Sequence, residues 1–168
     1  MSKEKELDLE NTLYLDLKDG RVVINLRPDL APNHVARIKE LAREGFYDGV
    51  VFHRVIDGFM AQGGDPTGTG MGGSGKKLEQ EFSNPAIAKH VRGTCSMARS
   101  ANPNSADSQF FIMFEPARSL DGQYTIWGEV VSGMEHVDNI KKGSSFNNGT
   151  VTDPDSIVSM RVAADVKE

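Results

Sequence analysis

Five Asp-Gly or Asn-Gly pairs punctuate the chain: Asp19-Gly20, Asp48-Gly49, Asp57-Gly58, Asp121-Gly122 and Asn148-Gly149. Such pairs accept the left-handed backbone of tight reversals, and between short apolar runs they signal antiparallel strands. The runs around them fit. Thr12 to Leu17 places Leu13, Leu15 and Leu17 on one face and Tyr14 and Asp16 on the other. Lys18-Asp19-Gly20 turns, and Arg21 to Leu26 returns as a β-branched partner. Further strands are expected at Val50–Ile56, Phe59–Gln62, Thr94–Ala98, Gln109–Phe114, Tyr124–Val131 and Ile157–Val162. In the fourth of these runs, Phe110, Ile112 and Phe114 alternate with Gln109, Phe111 and Met113.

Two segments change period. Pro32 suits a first helical turn, and Val35, Ile38, Leu41 and Ala42 recur at helical spacing before Gly45, a natural C′ residue. Ser132-x-x-Glu135 has the form of a capping box, followed by Met134, Val137, Ile140 and Lys141 up to Gly143. The expectation is about seven or eight strands and two helices. We read this as a closed antiparallel β-barrel, which leaves no free edge, with a helix over each mouth. Residues 1–11 are charged and are expected to be flexible, with one domain spanning 12–168.

The net charge of −5 argues against nucleic acid as a partner. A single cysteine, Cys95, excludes an internal disulfide and a multi-cysteine metal site. The first ten residues lack the apolar run of a secretory signal, and no stretch approaches the roughly 20 apolar residues of a spanning helix. A cytoplasmic monomer without membrane contact is therefore expected. Within the Gly-rich stretch 66–80, Gly68-x-Gly70-x-x-Gly73 and Gly70-x4-Gly75-Lys76 imitate nucleotide-binding motifs. Both motifs need a strand before and a helix after. Here Asp65-Pro66 precedes, and Lys77 stands where Ser or Thr is required. His34, His90 and His136 are scattered, with no metal-ligand spacing.

Val50 to Asp65 carries a different message. His53 and Arg54 lie on one expected strand; Phe59, Met60 and Gln62 lie on the next, beyond the Asp57-Gly58 turn. A guanidinium, an amide and two soft apolar groups, with no nucleophile or carboxylate pair, suit a site that grips an apolar group and polarises a neighbouring peptide bond. They equally suit a hairpin whose arginine is only solvated.

Phe52-His53-Arg54-Val55-Ile56-x-Gly58-Phe59-Met60-x-Gln62-Gly63-Gly64-Asp65 resembles the signature of the cyclophilins, the peptidyl-prolyl isomerases. Two more stretches are similar to that family: Gly93-Thr94-x-Ser96-Met97-Ala98 continuing to Ser108–Ile112, and Leu120-Asp121-Gly122-Gln123-Tyr124-x-x-Trp127-Gly128. The resemblance implies an eight-stranded barrel with two helices, activity on proline-containing peptides and folding polypeptides, and neither cofactor nor metal. The reaction fits the residues. An Xaa–Pro bond is held planar by a barrier of roughly 18–20 kcal/mol. A turnover of about 100 per second would require lowering it by about 5–6 kcal/mol. No bond breaks, so no nucleophile is needed. One placed donor can supply about 3–4 kcal/mol.

The resemblance assigns Arg54, Phe59 and Gln62 to catalysis, with Arg54 bonding near the prolyl nitrogen and Gln62 orienting it. Met60, Phe111, Leu120 and Tyr124 would join Phe59 around the proline. Ala98, Arg99, Ser100 and Gln109 would contact the preceding backbone, and Gly70 would border the adjoining pocket. On sequence alone Phe59, Met60, Phe111 and Leu120 also read as core. His53 resembles a general base, but isomerisation transfers no proton, so it is expected to be structural. Three positions depart from the family pattern. Tyr124 replaces a frequent His and keeps a hydroxyl donor. Arg99 replaces a frequent Asn and adds a cation that favours acidic residues before the proline. Ser119 replaces the Trp of cyclosporin-sensitive members, which predicts weak cyclosporin binding. The alternative function is a chaperone or scaffold that holds proline segments, although such a binder has no need of Arg54.

Overall fold

A computed structural model describes residues 8–166. Of the segment expected to be flexible, residues 1–7 lie outside that range; Leu9–Asn11 form a 3-10 turn behind Asp8, whose carboxylate accepts from Glu10 N. Eight strands follow: β1 Thr12–Leu17, β2 Gly20–Leu26, β3 Arg54–Ile56, β4 Met60–Gly63, β5 Thr94–Met97, β6 Phe110–Met113, β7 Ile126–Ser132 and β8 Ser159–Val162. They form one antiparallel sheet in the order β3-β4-β6-β5-β7-β2-β1-β8. Register shifts at Val23/Ile24 and Cys95/Ser96 sharpen its curl.

The expected closed barrel is corrected here: β3 and β8 are the two ends of an open half-barrel and do not pair. β3 has only three residues, and irregular chain fills the seam beyond it. Val55 N bonds Gly149 O, Val151 N bonds His53 O, Phe52 N bonds Asp155 O and Ile157 N bonds Val50 O. The intervening Thr152-Asp153-Pro154-Asp155 cannot continue a ladder, because proline lacks the donor and Asp153 is left-handed at φ 52°.

The first helix, α1 Pro32–Arg43, buries His34, Val35, Ile38, Leu41 and Ala42. It ends as predicted. Gly45 adopts φ 73°, its N–H reaches Ala42 O, and Phe46 N reaches Leu41 O. It also starts where Pro32 predicts, but its cap was not legible: Ala31 offers no side-chain cap, and the carboxylate of Glu81, 47 residues away from His34, accepts from Asn33 N at 3.2 Å and His34 N at 2.8 Å. The second helix, α2 Met134–Asp138, is one turn long, and the expected capping box does not form. Ser132 is still paired with Val23 in the sheet, and Gly133 makes the turn at φ 84°, where a Cβ would lie 2.3 Å from Arg21 O.

The alternation read from sequence separates two apolar regions. Leu13, Leu15, Val22, Ile24, Phe110, Ile112 and Trp127 belong to the core enclosed by the sheet and α1. Met60, Phe111 and Met113 form a smaller cluster on the opposite face.

Candidate active site

That second face carries the chemistry. Cross-strand register places Arg54 opposite Gln62, Gln62 opposite Phe111 and Phe111 opposite Ser96. A single row thus crosses β3, β4, β6 and β5, because direct partners project to the same side of a sheet. Beside it, a notch of about 140 Å³ is lined by Arg54, Phe59, Met60, Gln62, Ala98, Arg99, Phe111, Leu120 and Tyr124. Phe111 and Tyr124 meet edge to face at 5.7 Å. A wider groove of about 460 Å³ continues from Gln62, Ala98 and Arg99 to Gly70, Ser100, Lys77 and Gln109. The structure therefore brings all twelve residues expected to bind or catalyse to these two adjoining cavities.

Arg54 is clamped by neutral groups. Its Nη1 donates to Gln62 Oε1 at 3.1 Å, its Nε to Asn148 O at 2.9 Å and its Nη2 to Asn148 Oδ1 at 3.0 Å. Among the described residues no carboxylate forms an ion pair with it, so its charge is directed without being neutralised. The clamp extends inward. Gln62 Nε2 donates to Gln109 Oε1 at 3.0 Å, and Gln109 Nε2 donates to the carbonyls of Gly70 and Gly72 at 2.9 and 3.0 Å.

Those carbonyls belong to the Gly-rich loop, which is shaped around a buried carboxylate and makes no helix. Asp65 accepts from the backbone of Thr67, Thr69, Gly70 and Gly72, and from both threonine hydroxyls. Burial would raise its pKa. The bonds from Gly72, Thr67 and Gly70 outweigh burial and hold the group well below the usual carboxylate range. Asp107 fixes the outer part of the loop through Ser74 N, Ser74 Oγ and Gly75 N.

His53 is buried, and its Nδ1 has no partner among the described residues. Burial, with Arg54 nearby, lowers its pKa against the pull of Asp65. Arg99 curls over the ring of Tyr124, 4.6 Å from its centroid, and donates to the Gln123, Ser100 and Ala101 carbonyls. Ser119 lies in the 3-10 turn Arg118–Leu120 and is exposed.

Three contributors were missed by sequence reasoning. Asn148 was read only as a turn residue; its position before Gly149 was the available signal, since it adopts φ 56° and so aims both oxygens at Arg54. Asp65 closed a motif without a role of its own. His90, set aside as scattered, is buried behind the notch. Among the described residues no three His, Cys, Asp or Glu side chains converge as a metal site, and no helix is long and apolar enough to cross a membrane.

Residues 12–162 match the family described as cyclophilin type peptidyl-prolyl cis-trans isomerase/CLD. A Brucella suis protein described as "Probable peptidyl-prolyl cis-trans isomerase" is 56% identical, over 95% of this chain and 86% of its own. Peptidyl-prolyl cis-trans isomerase B of Bacillus subtilis is 46% identical, over 79% of this chain and 92% of its own. Among solved structures, a Cryptosporidium parvum cyclophilin type peptidyl-prolyl cis-trans isomerase crystallised in the presence of the dipeptide Ala-Pro superposes with TM-score 0.81 at 30% identity, covering 90% of this chain and 98% of that one.

Proposed function

The chain belongs to the cyclophilin-type peptidyl-prolyl cis-trans isomerases, and from that premise we propose how its own residues perform the rotation. It is an isomerase of Xaa–Pro bonds. The carrying observation is the un-neutralised Arg54 guanidinium held at the rim of an apolar notch by Gln62 and Asn148. Arginine presents a fixed fork of donors; after these three bonds one N–H on each of Nη1 and Nη2 is left for substrate.

The proline ring enters the notch and packs on Phe59, Met60, Phe111, Leu120 and Tyr124. As the bond twists, the prolyl nitrogen becomes pyramidal and gains a lone pair. An N–H from Arg54 bonds that lone pair, which favours the twisted amide over the planar one. Gln62 and Asn148 keep the donor in place, so the cost of ordering it is met before substrate arrives. The apolar walls exclude water that would favour the planar, more polar amide. The chain preceding the proline runs along Ala98, Arg99, Ser100 and Gln109, with Gly70 bordering the groove. His53 stays neutral and supports the rim.

Substrates are proline-containing peptides and exposed Xaa–Pro segments of other polypeptides, turned over by a cytoplasmic monomer. With Ser119 exposed in place of a Trp, cyclosporin binds weakly. Exchange spectroscopy on an Ala-Pro peptide tests the assignment: wild-type protein accelerates exchange, and Arg54→Ala loses most of that acceleration while keeping its fold. Normal turnover by that variant overturns the role of Arg54.

A further inference from the structure

Three of the walls of the proline notch come from segments that do not pair with one another. Phe111 is on β6, Leu120 ends a 3-10 turn, and Tyr124 precedes β7. β6 pairs only with β4 and β5, so the sheet alone does not set the distances between these walls.

His90 touches all three segments. Its ring stacks on Phe111 at 6.0 Å with planes 20° apart, and meets Tyr124 edge-on at 6.4 Å. Its backbone N–H and its Nδ1 both reach Asp121 Oδ1, at 2.6 and 3.1 Å, immediately after Leu120. Its Nε2 lies 2.9 Å from Ser96 Oγ, which lies 2.9 Å from the carbonyl of Thr125, the residue after Tyr124. Its own carbonyl accepts from Ala117 N, at the entry to the turn carrying Leu120. Only 1% of the residue is exposed.

The charges facing the ring are few. Asp121 is the carboxylate in contact; Ser96 and the Thr125 carbonyl complete the polar set, and Phe111 and Tyr124 complete the apolar one. A carboxylate can only accept, so Nδ1 carries a proton and the ring is fixed in one orientation. A buried polar group engaged at both nitrogens specifies one geometry, where an apolar filler would tolerate several. A hydrogen-bonded string continues from Thr125 Oγ1 to Glu81 N at 3.0 Å, and from Glu81 to His34. The back of the notch is thereby tied to the start of α1.

Resting on the isomerase reading above, we propose that His90 is a positioning residue: without touching substrate, it holds Phe111, Leu120 and Tyr124 at the spacing that grips a twisted prolyl bond. Misplacing a wall by about 1 Å can cost on the order of a hundredfold in rate, and an effect confined to the strained geometry appears in kcat and not KM.

The experiment measures kcat and KM on an Ala-Pro peptide for wild type, His90→Leu and His90→Asn, with thermal unfolding and the near-ultraviolet signal of Trp127 recorded on each. His90→Leu keeps the volume and removes both polar contacts; it is expected to lose about tenfold in kcat with KM within about twofold. His90→Asn, which retains a donor towards Asp121, is expected to recover about half of that loss on a logarithmic scale. A folded His90→Leu with wild-type kcat overturns the proposal, as does a loss that only tracks the unfolded fraction. If His90→Leu does not fold, Asp121→Asn carries the same expectation and the same overturning outcome. Absence of turnover by the wild type on any Xaa–Pro peptide would instead count against the isomerase reading.

Discussion

Arg54 and Gln62 are direct partners in the β3–β4 register, and the 3.1 Å bond between their side chains makes the sheet itself the jig for the guanidinium. The first prediction concerns that donor. Arg54→Ala should reduce kcat/KM on an Ala-Pro peptide by about a hundredfold or more, the range for losing one donor aimed at developing charge. Arg54→Lys should recover little, because a point cation cannot bond Gln62, Asn148 Oδ1 and substrate in one plane. Stability should change little in either variant, since the side chain is only half-buried. Protease-coupled kinetics and urea unfolding read both quantities.

Charge in the groove beside the notch leads to a second. Arg99 and Lys77 line it, and its carboxylate, Asp107, is already occupied by Ser74 and Gly75. Peptides with Glu two or three residues before the Ala-Pro bond should therefore be turned over about threefold to tenfold more efficiently than their Lys counterparts. Pairing exposed charges contributes about 0.2–1 kcal/mol each. The ratio should shrink between 20 mM and 500 mM salt, as screening requires. Equal kcat/KM for the two peptides at low salt would remove the charge preference.

Asp65 predicts a pH dependence. Its folded pKa is depressed, so its contribution is complete above the unfolded carboxylate range near about pH 4 and is lost as pH falls below it. Asp65→Asn should cost about 1–3 kcal/mol at pH 7, because an amide cannot accept from Thr67, Gly70 and Gly72 together. The gap between variant and wild type should narrow as pH falls from 4 towards 2. Urea unfolding across that range measures it; a gap independent of pH would mean the carboxylate does not organise the loop.

Ser119 predicts a gain. The side chain is exposed on the turn bordering the notch, so Ser119→Trp has room to add a flat contact and an indole donor. Cyclosporin should inhibit the variant at least about tenfold more potently than wild type, a difference of about 1.4 kcal/mol. Inhibition curves that superimpose would show that position 119 does not govern this affinity.

The parts of the fold legible in the sequence were those with a local cause. The β1–β2 hairpin follows from alternation on either side of Gly20, and the end of α1 follows from a glycine free to take φ 73°. The face carrying the site was legible for the same reason, since alternation alone separates Phe111 from Phe110 and Ile112. What escaped depends on distant partners. Glu81 caps a helix from another segment. Ser132, which reads as a cap, is held in β7 by its pairing with Val23. The open seam was hidden because backbone bonds from 149–157 satisfy β3 without a strand pattern. Asn148 and His90 act through contacts 94 and 31 residues away, to which no periodicity points.

The seam has a temporal consequence. Asn148 follows Arg54 by 94 residues, at the start of the irregular stretch that bonds the outer edge of β3. During synthesis the arginine and Gln62 emerge together, but the two bonds to Asn148 can form only after that later stretch has docked. The clamp on an isomerase's key donor is thus completed from a stretch 94 residues further along its own chain.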